Sequence, residues 1–172
     1  INPIRVLSKI LGSLHNDSGK VTIPNFYDGV LVLPDDVDAQ WQALKFDYGT
    51  FLNNVGLSVP AGEKEFSPLE MIWSRPTCEI NGIQGGYTGE GFKTVLPSQA
   101  STKLSFRLVG DQDPVAIREN LHAQVRDMLP SDCEVSFNAH EASSGSVMST
   151  EAPAFEAARK ALSEEWPDEA AF

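Results

Sequence analysis

Hydrophobic residues near the start of the chain recur with the spacing of an α-helix. Asn2-Pro3 has the form of a helix cap followed by proline, and apolar residues then return every three or four positions, at Ile4, Leu7, Ile10, Leu11 and Leu14. A second helix is expected after Asp113-Pro114 and ends near Pro130, with an inward face of Ile117, Leu121, Val125 and Met128. The pattern therefore predicts two amphipathic helices that each bury one face.

Beyond Pro76 the hydrophobic period changes to two, which is typical of β-strands. In the run STKLSFRLV one side carries Thr102, Leu104, Phe106 and Leu108, and the other side is mostly polar. The run CEVSFNAH, residues 133–140, repeats this alternation and places Val135 and Phe137 on its apolar side. We expect both runs to be strands whose apolar sides lie beneath the helices that contain Leu7 and Leu121.

The order helix, strand, strand, helix, strand is most of a split β-α-β sandwich. The predicted fold is α+β, an open-faced sandwich in which an antiparallel sheet of about four strands, with one edge strand missing at the front, carries two helices on one face. Residues 34–73 are expected to form an irregular helical insertion, where Ser67-Pro68-Leu69-Glu70 is a capping box. A further helix around Phe155 follows a Ser/Gly linker and is expected to belong to a different body.

Composition excludes several classes of partner. The 172 residues are 41% hydrophobic and carry a formal net charge of -11. Nucleic acids and anionic membranes attract positively charged surfaces, and this chain has no basic cluster, so neither is an expected partner.

Other features of the sequence concern location and redox state. No apolar stretch approaches the roughly 20 residues needed to span a bilayer, and the start lacks the order of a signal peptide. We therefore expect a cytoplasmic location, and the opening Ile-Asn-Pro without Met suggests part of a longer protein. Cys78 and Cys133 are far apart in sequence and are expected to be buried free thiols.

The glycine-rich stretch GGYTGEGFKTVLP, residues 85–97, invites a phosphate-binding interpretation. It does not satisfy the P-loop spacing, because Phe92 stands between Gly91 and Lys93, and a strand rather than a helix follows it. A tight hairpin connection whose glycines adopt positive φ is the favoured interpretation.

The sequence pattern does not place the three histidines in a recognisable metal-binding motif. Glu119 and His122 have the spacing of half a di-metal carboxylate site, but no second pair is present, so a solvated helix flank is favoured. His140-Glu141 begins like a zincin motif that then lacks its second histidine. The residues themselves therefore predict no catalytic residue and no metal ligand set.

Arg107 is the most informative charged residue. It projects with Lys103 from the open face of the predicted sheet. A strand arginine commonly makes a cross-strand ion pair, and its planar fork also suits a substrate carboxylate. The residue pattern alone leaves both roles open.

A longer motif then resembles a known family. The run W-x-R-P-T begins at Trp73, G-I-x-G-G-Y-x-G-x-G-x-K-T-V-x-P begins at Gly82, and A-x-x-K-x-S-x-R-L-V begins at Ala100. Together they resemble the dimerisation, or lid, domain of the M20 peptidase family of zinc exopeptidases, and the match covers nearly the whole chain.

The resemblance implies a role within a larger enzyme. Residues 1–148 would be the lid, and residues 149–172 would begin the return into a catalytic domain that holds two zinc ions through ligands absent from this chain. Thr94 and Arg107 match two substrate contacts of the dipeptidase branch. The resemblance further implies a homodimer formed through the lid and a dipeptide or N-acyl amino acid substrate, with the chain alone inactive.

A second hypothesis comes from another functional class. The same α+β sandwich could be a non-catalytic interaction module that associates with itself through a sheet edge or a helix. Metal-ligand motifs in the preceding part of the gene would support the hydrolase, and their absence would leave the module.

Overall fold

The computed structural model describes residues 1–166, within which the chain forms six helices and two strands. The fold is α+β, as predicted from the sequence. In chain order the elements are α1 Pro3–Gly12, α2 Asp35–Ala43, α3 Tyr48–Asn54, α4 Pro68–Trp73, β1 Thr77–Gly85, β2 Ala100–Arg107, α5 Pro114–Met128 and α6 Pro153–Glu165.

The sheet is an antiparallel pair of β1 and β2. Its register runs from Thr77 opposite Arg107 to Gly85 opposite Ala100, and a bulge interrupts β1 between Ile80 and Gly82. Along β2 the residues alternate between half-buried and exposed, which confirms the predicted alternation. The half-buried side faces the core, where Leu104 and Phe106 pack.

The predicted strand at 133–140 is wrong. That segment has no strand pairing, Val135 is exposed, and the sheet within residues 1–166 has two strands rather than about four. The segment lies along α5 instead, where the Phe137 ring stacks on His122 with centroids 3.8 Å apart and Arg118 donates to the His140 carbonyl over 3.1 Å. Alternating side chains form a strand only when the backbone pairs with a neighbouring strand, and within residues 1–166 this segment pairs with none.

The core lies between the hairpin and helices α1 and α5. Both helices begin as predicted, with the side chains of Asn2 and Asp113 accepting backbone hydrogen bonds from the first turns. Their apolar faces meet the segment 21–26 and the sheet, and the buried cluster consists of Leu11, Leu14, Val21, Ile23, Phe26, Cys78, Ile117 and Leu121. Leu104 and Phe106 thus pack against the helices expected to cover them.

The helical insertion consists of α2, α3 and α4, with irregular chain between them, as the broken pattern predicted. Ser67 and Glu70 form the predicted capping box at the start of α4, with reciprocal side-chain hydrogen bonds to the backbone. These elements lie in the chain between α1 and β1.

One buried ion pair ties the end of the insertion to the start of β1. The Arg75 guanidinium donates to both carboxylate oxygens of Glu63, over 2.7 Å and 3.0 Å, and the two side chains are only 15% and 9% exposed. The guanidinium also lies 4.0 Å from the Phe66 ring centroid and 5.2 Å from that of Tyr27. Burial at this junction raises the pKa of Tyr27 to about 12.

Between the end of α5 and the start of α6 the chain forms no further helix or strand. The predicted boundary near residue 148 falls before α6, and the last part of the predicted return segment, 167–172, lies outside the described residues. None of the helices within residues 1–166 combines the length and the apolar character needed to cross a membrane.

Glu63→Gln should destabilise the chain strongly. The substitution leaves the Arg75 charge buried without its partner, which typically costs about 3 to 5 kcal/mol. Urea denaturation followed by circular dichroism measures this loss. Glu156→Gln is the matched control, because Glu156 pairs with Arg159 on the exposed surface of α6 and its loss should change little. Equal effects of the two substitutions would show that the Glu63–Arg75 pair does not anchor the insertion.

Candidate functional site: the hairpin loop and the end of strand β2

The candidate site is built on the β1–β2 hairpin and its connecting loop, residues 86–99. The loop begins where Gly85 lies opposite Ala100. Gly86 and Gly91 have φ of 75° and 79°, which confirms the prediction of a connection that needs positive φ. At Gly86 a Cβ atom would also lie only 3.0 Å from Cδ1 of Ile4, so the loop enters close to α1.

The first half of the loop is held by its own contacts. The Tyr87 hydroxyl donates to the Glu90 carbonyl over 2.9 Å, and the Lys93 ammonium lies 4.5 Å from the centre of the Tyr87 ring. This cation–π contact and the hydrogen bond fold residues 87–93 into a compact turn.

The second half of the loop exposes large apolar side chains. Phe92 is 101% exposed, Val95 78% and Leu96 65%. Sequence reasoning did not anticipate this surface, although three large apolar residues within a glycine-rich connection were a usable signal. Since the three side chains are this exposed, the loop projects away from the hydrophobic core.

Thr94 lies within this projecting stretch. It is exposed, and its hydroxyl makes no hydrogen bond to residues 1–166. The side chain is therefore available to an external ligand or to another protein chain.

Arg107 ends β2 on the exposed side of the strand, opposite Thr77. Within the described chain no carboxylate lies within ion-pair distance of its guanidinium. Of the two roles left open by the sequence, the cross-strand ion pair is therefore not formed. The residue opposite Arg107 on β1 is Thr77, which carries no charge with which the guanidinium could form an ion pair.

Thr94 and Arg107 lie on different parts of the hairpin, Thr94 in the connecting loop and Arg107 at the far end of β2. An eight-residue strand at a rise of about 3.4 Å per residue separates the ends of β2 by roughly 24 Å. Arg107 marks one end, and Thr94 lies beyond the other end in a loop that projects from the core.

The histidines lie apart from both residues. His15 pairs with Val21 in an isolated bridge, and His122 is half-buried against Phe137 rather than forming the expected solvated flank. Burial, together with the neighbouring charges of Arg126 and Arg118, lowers the pKa of His122, and Glu119 opposes this in part. No group of three or more His, Cys, Asp or Glu residues within 1–166 is arranged to hold a metal ion.

Two pockets lie elsewhere in the part of the chain that the structure describes. The larger, of about 360 Å³, lies between the 15–21 turn, the insertion and the start of β1, and Arg75 and Cys78 contribute to its wall. The smaller, of about 220 Å³, lies beside the start of α5. Neither is lined by Thr94 or Arg107, and neither was predicted, because their walls come from segments distant in sequence.

Both cysteines are free, as expected. Cys78 is buried, and burial raises the pKa of its thiol to about 11, whereas Cys133 is only half-buried. The prediction of two buried thiols is therefore confirmed for Cys78 and only partly for Cys133.

The fold and the site together define an α+β domain that presents a hairpin loop at one end of its sheet and, at the other, an arginine without an ion-pair partner among the described residues. The sequence model of the peptidase dimerisation domain family matches residues 1–141. The chain belongs to this family.

Similar proteins are M20 peptidases and dipeptidases. A metallo-carboxypeptidase of the M20 family from Sulfolobus solfataricus has a structure that superposes with a TM-score of 0.83 at 29% identity, covering 98% of this chain and 38% of that one. A human Beta-Ala-His dipeptidase is 28% identical over 74% of this chain and 25% of its own length. A Candida albicans Cys-Gly metallodipeptidase is 31% identical over 63% of this chain and 22% of its own length. The chain thus spans about a quarter of the curated relatives it matches.

Gly86→Ala should lower the stability of the hairpin loop. An alanine there must adopt φ near 75°, at a typical cost of about 1 to 2 kcal/mol, and its Cβ would press on Ile4. Thermal unfolding measures the change. The control is Gly82→Ala, since Gly82 lacks positive φ and a Cβ there has only Lys103 Cδ nearby, at 3.9 Å. A larger loss for Gly82→Ala would contradict this description of the loop.

Proposed function

We propose that this chain is the dimerisation and substrate-clamping lid of a zinc-dependent peptidase that acts on dipeptides or related small amides such as N-acyl amino acids. The observation that carries the proposal is the guanidinium of Arg107 on the exposed side of β2, which has no carboxylate partner among residues 1–166 and stands at the arginine of the motif A-x-x-K-x-S-x-R-L-V. Membership in the dimerisation domain family supports the role of the domain as a whole.

The substrate class follows from the relatives and from the chemistry of arginine. Two of the relatives are named for dipeptides, which carry a free carboxylate at one end. A guanidinium binds a carboxylate through two parallel hydrogen bonds, and it stays protonated at any physiological pH. Arg107 is accordingly proposed to bind the substrate's terminal carboxylate and to orient the amide bond for cleavage.

The two zinc ions expected for the parent enzyme would have to be bound elsewhere. Residues 1–166 provide no suitable group of ligands, so this part of the chain does not fit a metal site of its own. Its proposed contribution is binding and orientation, together with assembly of the dimer.

The positions of Thr94 and Arg107 favour a shared active site. Thr94 belongs to the loop beyond one end of β2 and Arg107 ends the strand at the other, so we propose that a substrate contacting both takes one residue from each of two chains. In a two-fold symmetric dimer, Arg107 of one subunit would meet Thr94 of the partner at each of two equivalent sites. Self-association through the domain would then be a requirement for substrate binding.

Arg107→Ala in the full-length enzyme should reduce kcat/KM about ten- to a hundredfold, since a charge-assisted hydrogen-bonded pair contributes about 1.5 to 3 kcal/mol. Steady-state kinetics on a dipeptide measures the loss. Arg107→Lys should recover only part of it, because an ammonium keeps the charge without the fork. Lys103→Ala is the matched control, four residues earlier on the same exposed side of β2.

Substrate analogues separate binding from folding in this experiment. A dipeptide whose carboxylate is amidated should lose little further activity in the Arg107→Ala variant. Equal losses on free and amidated substrates, together with a sharp drop in melting temperature, would show that Arg107 is a structural residue.

Mixed dimers of Thr94→Ala and Arg107→Ala subunits should regain activity that neither variant has alone. In such a heterodimer one of the two shared sites keeps both wild-type residues, so random mixing should restore about a quarter of the wild-type activity. Activity assays after the two variants are unfolded and refolded together measure this. Mixtures no more active than the separate variants would mean that both residues do not serve a site shared between subunits.

A further inference from the structure

Asn81 occupies an irregular position in β1. It is the residue at the bulge, without a partner of its own, between Ile80 opposite Leu104 and Gly82 opposite Lys103. The residue is exposed, and its side-chain amide makes no hydrogen bond within residues 1–166. Within residues 1–166, Asn81 thus has neither a partner in the strand register nor a hydrogen bond that holds its side-chain amide.

The residue that follows Asn81 leaves its main chain accessible. Gly82 carries no Cβ, and the space that a Cβ would occupy is open apart from Lys103 Cδ at 3.9 Å. The hydroxyl of Thr102 donates to the Gly82 carbonyl over 2.9 Å. Glycine is also the residue that allows the widest range of backbone angles.

Two other asparagines, Asn16 and Asn138, differ from Asn81 in side-chain hydrogen bonding or in the residue that follows. Asn81-Gly82 is the single Asn-Gly pair in the sequence. The side chain of Asn16 accepts three hydrogen bonds, from Ser18 and Lys20, and is therefore held in place. Asn138 is exposed in a segment without strand pairing, but Ala139 follows it and carries a Cβ.

We propose that Asn81-Gly82 is a site of spontaneous deamidation in the folded protein. The backbone nitrogen of Gly82 attacks Cγ of Asn81, a five-membered succinimide forms, and the side-chain nitrogen leaves as ammonia with the displaced proton. Water then opens the ring at one of its two carbonyls. The product is an ordinary aspartate with a normal main chain, or a β-linked aspartate whose main chain runs through the former side chain. No oxidant or reductant is involved.

The modification changes β1 in two ways. Both products place a carboxylate at the bulge, beside the Gly82–Lys103 pair. The β-linked product also adds one methylene to the main chain, which displaces Ile83, Gln84 and Gly85 relative to β2. The hairpin loop begins directly after Gly85, so its orientation depends on this position.

Peptide mapping by mass spectrometry during incubation of the native protein in mildly alkaline buffer tests the proposal. The peptide with Asn81 should gain the mass of amide-to-acid exchange at least about ten times faster than the peptide with Asn138, equivalent to about 1.4 kcal/mol in the barrier. Gly82→Ala should slow conversion at Asn81 by a similar factor while circular dichroism remains native. Asn81→Gln, which leaves Gly82 unchanged, should abolish the mass change in that peptide.

Two results would overturn the proposal. One is that Asn81 converts no faster than Asn138 in the native protein while the urea-unfolded chain converts readily, because the fold would then protect the site. The other is that Gly82→Ala folds normally and converts at the unchanged rate. If Gly82→Ala does not fold, the comparison of Asn81 with Asn138 in the native chain decides the question.

Discussion

The antiparallel pairing of β1 with β2 is the constraint on which the candidate site depends. Two strands alone are marginally stable in water, so this hairpin requires a cover over its apolar side. Helices α1 and α5 provide that cover through Leu11, Ile117 and Leu121, together with Leu14 just after α1, and the buried Cys78 lies at the contact. The pairing register then fixes where the connecting loop leaves the sheet and where Arg107 ends β2. Binding residues carried by loops and strand ends are positioned in this way by a rigid scaffold.

Local patterns in the sequence predicted the elements whose stability is local. The caps at Asn2, Ser67 and Asp113 were readable because capping needs a particular side chain within a few residues of a helix start. The side of β2 that faces the core was readable from its alternation. The segment 133–140 shows the same alternation and forms no strand, because pairing depends on a neighbouring edge that no local pattern encodes. Instead of pointing into a sheet interface, the Phe137 side chain stacks on His122 of α5.

The Glu63–Arg75 pair shows a second limit of sequence reasoning. Charged residues are mostly exposed, so a pattern analysis assigns both to the surface. Their burial follows from the insertion folding back onto the start of β1, where Phe66 and Tyr27 surround the guanidinium. A buried pair contributes less net stability than its short distances suggest, because both charges lose hydration. Its clearer effect is to fix one arrangement of the insertion, since any other arrangement leaves a buried charge unpaired.

The sequence proposes which residues form the candidate site but not how they are arranged. Thr94 and Arg107 were both proposed from motif runs that place them thirteen positions apart, and that spacing alone is compatible with two side chains in one pocket or in two. In the structure, seven of those positions lie along β2 and six in the connecting loop. If both residues contact substrate as proposed, a strand with one contact at its end and the other in the loop beyond its start is suited to connect two sites. Under this proposal the dimerisation role of the family and the binding role of the two residues become one requirement, since each site is complete only when a second chain is present.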